Sequence, residues 1–240
     1  MRAIAFSTAV LILTGCAGGN GSAPAATRAA TAAETGAGKT EPRAETGGQA
    51  IAPPDVAPLG SLRKIRALEG KFSHVDPRLE EGVRAVSGIV SEVRCWTKAG
   101  WRRLEAAQGV EPGTLGGLAD PFAYEIHLHP YVCEWLDALL KGVRPETGDD
   151  ALQAAQSLIT LAHEGTHFTA AGGNEAVVEC RAMQNADKVA AALGIEADYA
   201  QRLSQLFWEQ LYAKGDPIYG SPECRDGGIM DVNPAEHTWP

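Results

Sequence analysis

The sequence predicts a mainly α domain (α+β with at most a small strand or edge). It is expected to be a compact helical domain in which one helix carries His163-Glu164-Gly165-Thr166-His167 and is followed by an antiparallel glutamate helix. Three observations carry this. Apolar residues recur at three- and four-residue spacing through most of the chain from residue 77 on. Helix-starting residues precede those runs and glycines follow them. Only one short stretch, Tyr124-Glu125-Ile126-His127-Leu128, alternates as a strand does.

Asp76-Pro77 reads as a cap followed by a first-turn proline, opening a helix to about Ala107 with the stripe Leu79, Val83, Val86, Val90 and Val93. Gly109 to Gly117 reads as a loop. The alternating stretch from Tyr124 to Leu128 is expected to be either an edge strand that pairs with another backbone or a plain core strand. Pro130 to Leu140 is a helix with Val132, Cys133, Leu136, Leu139 and Leu140 inward. Asp149 or Asp150 caps the next helix, whose stripe is Leu152, Ala155, Ile159, Ala162 and Thr166. That helix is expected to stop at Gly172-Gly173, after which Asn174 caps a helix running to Leu193. A last helix spans about Ala197 to Lys214, and the Gly- and Pro-rich remainder is irregular. Gly165, inside the motif helix, costs about 1 kcal/mol against Ala. Close packing of another element would account for it. The five tryptophans read as core and interface anchors.

The first residues read as a secretory leader. Met1-Arg2 is followed by an apolar run to Leu13 that is too short to span a bilayer. The run ends in Leu13-Thr14-Gly15-Cys16, which resembles a bacterial lipobox. The resemblance implies that residues 1–16 form a lipoprotein signal peptide, with Cys16 lipidated and anchoring the chain to the outer face of the cell membrane. A leader without lipidation would leave the protein secreted. Residues 17–58, rich in Ala, Gly, Pro and Thr, lack the large apolar residues a core requires. They are expected to be a disordered tether reaching roughly 35 Å. Residues 59–240 make one domain. A net charge of −9 disfavours nucleic acid as a partner.

Five cysteines suit an oxidising compartment. With Cys16 taken by lipid, Cys95, Cys133, Cys180 and Cys224 remain, and three pairings are open. Cys95–Cys133 and Cys180–Cys224 are favoured. The first would join two N-terminal elements, and the second would clamp the irregular tail onto the motif helices.

His163 and His167, four apart, project from one face of a helix and can grip one metal ion, most often zinc. Glu164 then points at the open position, where it can take a proton from water. A catalytic zinc needs a third protein ligand. Glu175 and Glu179 share a face of the following helix, which a tight hairpin would turn back toward the histidines.

The pair His163-Glu164-x-x-His167 and Asn174-Glu175-Ala176-x-x-Glu179 resembles the motif pair of the gluzincin metallopeptidases, the thermolysin type. The resemblance implies that His163, His167 and Glu175 hold one zinc ion and that Glu179 orients a zinc-bound histidine. It implies hydrolysis of peptide bonds in a peptide or protein substrate, through zinc-activated water with Glu164 as general base. The spacing between the motifs is short here, so Glu179 stays open as the alternative ligand. An oxyanion-holding group is expected among His237, Tyr219, His129 and Tyr212, with His237 taken as the catalytic candidate if Cys224 pins the tail near the cleft. The ending, Cys224-Arg225-Asp226-Gly227-Gly228 to Trp239-Pro240, resembles that of a small secreted bacterial family. The competing expectation is a non-catalytic zinc-binding or scaffold lipoprotein of the cell envelope. A core pair of histidines satisfied by carboxylates is the metal-free alternative.

Overall fold

A computed structural model describes residues 62–169, 173–235, 239 and 240. The expected leader, Cys16 and the whole of the expected tether lie outside the described residues, as does His237.

The expected helix from Pro77 to Ala107 is three elements. After α1 (Leu62–Phe72) and β1 (Ser73–Val75), helix α2 covers Pro77–Ser87, capped by the Asp76 carboxylate on the Arg78 N–H. It ends at Gly88, whose φ of 70° is the left-handed conformation that glycine adopts without strain. Strand β2 (Glu92–Trp96) follows, then α3 (Lys98–Gln108), capped by Thr97. Val93 and Cys95 point to the main core while Glu92 and Arg94 point away, which is a period of two. Val90, placed on the helical stripe, lies exposed in the connection.

Two short strands, β3 (Gly117–Asp120) and β4 (Glu125–Leu128), form a hairpin. The sheet order is β1-β2-β4-β3, with β4 parallel to β2 and the other neighbours antiparallel. The Tyr124–Leu128 segment is therefore interior on both sides, and an edge role for it is corrected: the free edge near the motif belongs to β3. The reason is that the backbone of β4 is already paired with β2 on one side and β3 on the other, which leaves it no open edge.

Helix α4 covers Pro130–Leu140 and α5 covers Gly148–Thr166. Asp149 and Asp150 lie in the first turn of α5 and do not cap it; Thr147 holds the cap position. Helix α5 stops at Thr166, before the expected glycines, because the chain turns over His167–Thr169. Asn174 caps α6 (Glu175–Gln184) by accepting from the Val177 N–H, as expected. The run to Leu193 breaks at Asn185, giving α7 (Ala186–Ala192). Helix α8 spans Ala197–Gln210, with a 3-10 turn at Tyr212–Lys214.

The fold class is as expected: eight α-helices and a small four-stranded sheet among the described residues. Helix α5 is the axis. It packs against α2, α4, α6 and α8, and Leu158, Leu161, Ala154 and Ala155 have no exposed surface. A smaller cluster of Trp96, Trp101 and Leu104 lies apart from that core. Disulfides Cys95–Cys133 and Cys180–Cys224 are both formed. The first ties β2 to α4, and the second ties α6 to the irregular tail. They fit an oxidising compartment. No described helix is long and apolar enough to cross a membrane.

Gly165 is explained by α2. A Cβ there would stand 2.7 Å from Val86 Cγ2 and 3.4 Å from Val83 Cγ1. Gly165→Ala therefore gains about 1 kcal/mol in helix propensity and loses about 1–3 kcal/mol to overpacking against a stiff valine. The expected net result is a lower chemical-denaturation midpoint; an unchanged or raised midpoint would refute this packing account.

Candidate metal centre

The last turn of α5 and the first turns of α6 face each other across the short connection between them. This places four motif residues together. His163 Nε2 lies 3.1 Å from His167 Nε2 and 3.1 Å from Glu175 Oε2, and the third edge, His167 Nε2 to Glu175 Oε2, is 3.6 Å. These three atoms form one candidate ligand set. Four tetrahedral N/O ligands about 2.0–2.1 Å from zinc stand roughly 3.4 Å apart. The observed triangle fits that geometry without rearrangement.

Glu179, one turn after Glu175, lies on the far side of the same imidazole. Its Oε2 accepts from His163 Nδ1–H at 2.6 Å. This bond leaves Nε2 of His163 as the nitrogen facing Glu175 and His167, and it holds the ring in place. Glu175 thus lies with the ring nitrogens that point inward, and Glu179 lies behind.

The electrostatics call for a positive charge at this point. Burial pulls the His163 pKa down, but hydrogen bonds to Glu175 and Glu179, and the charges of Glu164 and Glu179, reverse this and hold it at about 10. His163 holds Glu175 below the ordinary carboxylate range by hydrogen bonding, against the opposing effect of burial. A bound divalent cation would answer the same demand that the extra proton answers.

Glu164 is almost fully buried, and burial pushes its pKa up while His163 and His167 oppose that. Its carboxylate lies against β3. A Cβ on Gly117 would fall 2.4 Å from Glu164 Oε1 and 2.6 Å from Glu164 Cγ, so only glycine fits. Gly116 is less crowded: a Cβ there would stand 3.3 Å from the Tyr131 hydroxyl and 3.4 Å from Thr160 Oγ1. The sequence reads the Gly116-Gly117 pair as the end of a loop; its signal is a double glycine just ahead of a strand.

Beside this site is a cavity of about 210 Å³, bounded by Leu115, Gly117, Ile159, Glu164, Phe207 and Tyr219. Of the four oxyanion candidates, Tyr219 is the one among the described residues that reaches it. Its ring centroid is 5.8 Å from that of His163. Burial, and then the charges of Glu175, Glu164 and Glu179, push its hydroxyl up to about 12, so it stays protonated. The tail that carries Tyr219 is fastened by Cys180–Cys224 and by the Tyr212 hydroxyl, which accepts from the Ser221 N–H at 2.9 Å. Tyr212 is thereby occupied in holding the tail. His129 caps α4 through Nδ1 and packs its ring on Trp101 and Tyr131, away from the cavity.

A second group, Glu69, Glu125 and His127, also brings ligand-type atoms together. There Trp96 Nε1–H donates to His127 Nδ1 at 3.2 Å, which leaves the proton on Nε2 and that nitrogen unable to bind a metal. Arg94 beside Glu69 adds a positive charge. This group reads as a buried polar cluster of the fold.

Compared with protein-family models, with curated proteins and with solved structures, the chain matches none.

Proposed function

We propose that the chain is an extracytoplasmic zinc metallopeptidase of the gluzincin type, lipid-anchored through Cys16, that hydrolyses peptide bonds with Glu164 as general base. The observation that carries this reading is the triangle of His163 Nε2, His167 Nε2 and Glu175 Oε2, backed by Glu179 and flanked by a buried Glu164. A purely structural site has no use for a carboxylate at the open position.

His163, His167 and Glu175 would hold one zinc ion. Zinc so held supplies a Lewis acid and lowers the pKa of water to about 7. Glu164 takes the proton from the attacking water and delivers it to the leaving amine. Its buried setting suits this work, because a raised carboxyl pKa brings acceptance and donation closer to neutral pH. The Tyr219 hydroxyl, kept protonated, donates to the developing oxyanion.

The substrate backbone has a template in β3. The Gly116 carbonyl accepts from the His129 N–H at 2.9 Å, so Gly116 faces β4. In an antiparallel pair the next residue faces the other way. The N–H and C=O of Gly117 and Ala119 therefore face the free edge, beside Glu164, where an extended peptide can add as a strand.

The test is metal content of the purified protein, by mass spectrometry after exhaustive dialysis. About one zinc per chain is expected, and His163→Ala is expected to lose it. A folded protein that neither carries zinc nor takes it up on titration would overturn the reading.

A further inference from the structure

Beyond the cavity, β3 leads to a second exposed feature. Strand β3 runs alongside α5 in the same direction: Gly116 faces Thr160 and Gly117 faces Glu164. Past Asp120, the turn into β4 brings the Tyr124 ring to 6.3 Å from the ring of Phe168, the residue after His167. The cavity at Leu115, Ile159 and Phe207 lies toward the start of β3. Past the end of β3 is an aromatic rim in which Phe122 is 68% and Tyr124 51% exposed, beside the half-buried Phe168.

This rim is rigidly built. The Asp120 carboxylate accepts from the N–H groups of Phe122 and Ala123 at 3.0 and 3.1 Å. The Tyr124 carbonyl accepts from the Glu92 N–H at 2.9 Å. Tyr124 also holds a φ of 55°, the left-handed conformation, which glycine or asparagine adopts at lower cost. Burial does not offset that cost, since half of the side chain is in solvent. Strain retained at an exposed aromatic that packs on the residue after His167 points to a role outside the fold's own packing.

We propose that Phe122, Tyr124 and Phe168 form a second substrate subsite, which takes one bulky apolar or aromatic side chain of an extended peptide lying along the free edge of β3. The inference rests on the peptidase reading above. From Gly117 to Phe122 the chain advances five positions, about 17 Å if fully extended and less through the turn. The selected side chain therefore sits about three to five residues from the bond cleaved, and the enzyme acts on internal bonds of extended chains. A peptide suits this rim better than a lipid surface. A strand continues the pairing for which the outward-facing N–H and C=O groups of Gly117 and Ala119 are placed, which a bilayer cannot do.

The experiment uses the full-length zinc-loaded protein and a library of end-blocked octapeptides, with cleavage sites read by mass spectrometry. Wild type is expected to favour Phe, Tyr or Leu at one position three to five residues from the cleaved bond. The double variant Phe122→Ser, Tyr124→Asn, in which asparagine keeps the left-handed turn, is expected to lose about tenfold in kcat/KM on peptides with Phe at that position. Peptides with Ala there are expected to be cleaved unchanged. If the double variant keeps the wild-type preference, the subsite is overturned while the peptidase reading stands. If wild type cleaves nothing in the library, both are overturned. Binding to anionic vesicles that is lost in the double variant, together with an unchanged cleavage profile, would assign the rim to the membrane instead.

Discussion

Glu164→Gln is expected to abolish most hydrolysis, lowering kcat by about 10²–10⁴-fold, and to leave zinc stoichiometry unchanged. The two halves of that result have separate causes. Glutamine is isosteric and keeps the contact with Gly117, so β3 and α5 stay in place. Glu164 is not part of the ligand triangle, so His163, His167 and Glu175 still hold the metal. What disappears is a group able to accept a proton. The comparison is kcat on any peptide that wild type cleaves, with metal content measured on the same samples. If the variant kept full activity, the general base would have to lie elsewhere. If it lost zinc, Glu164 would be a ligand and the site closed. A deletion phenotype fully rescued by the variant would favour the scaffold alternative, in which metal binding matters and hydrolysis does not.

The readable part of this site was readable because it is local. Residues 163–179 contain both histidines and all three carboxylates, and helical spacing alone puts each pair on one face. The short connection between α5 and α6 then leaves few ways to fold the two faces except together. The caps at Asp76 and Asn174 were equally local. By contrast, β2 was hidden inside an apparent helix. Val86, Val90 and Val93 satisfy a helical stripe, while Val93 and Cys95 satisfy a strand, and only sheet partners decide between them. Gly88 was the one local sign of a break. The partners of β2 come from residues 73–75 and 125–128, and pairing across such distances leaves no periodic trace in the chain. Tyr219 was one of four candidates for the same reason. It sits in an irregular tail, and its position follows from the Cys180–Cys224 link and the Tyr212–Ser221 bond, both made to other parts of the fold.

The role of β3 was missed, and it leads to the other large effect. Gly117→Ala is expected to cost hydrolysis nearly as much as loss of Glu164, about 10²-fold or more in kcat, with zinc content intact. The new methyl would meet Glu164 at Oε1, Cγ and Cδ, all within 2.8 Å. Glu164 has little room to yield, because it is almost fully buried. Either its carboxylate swings out of line with the water it must deprotonate, or β3 backs away and carries the substrate template with it. The three atoms nearest the new methyl all belong to Glu164, which is not part of the ligand triangle, so zinc content is expected to stay intact. A rotated Glu164 lowers kcat at constant KM, whereas a displaced edge strand also raises KM for extended peptides, so the split between the two parameters separates the routes. Unchanged kinetics in a folded, zinc-bearing Gly117→Ala variant would mean that Glu164 is not held where β3 places it, and would remove the reason for assigning the proton transfer to it.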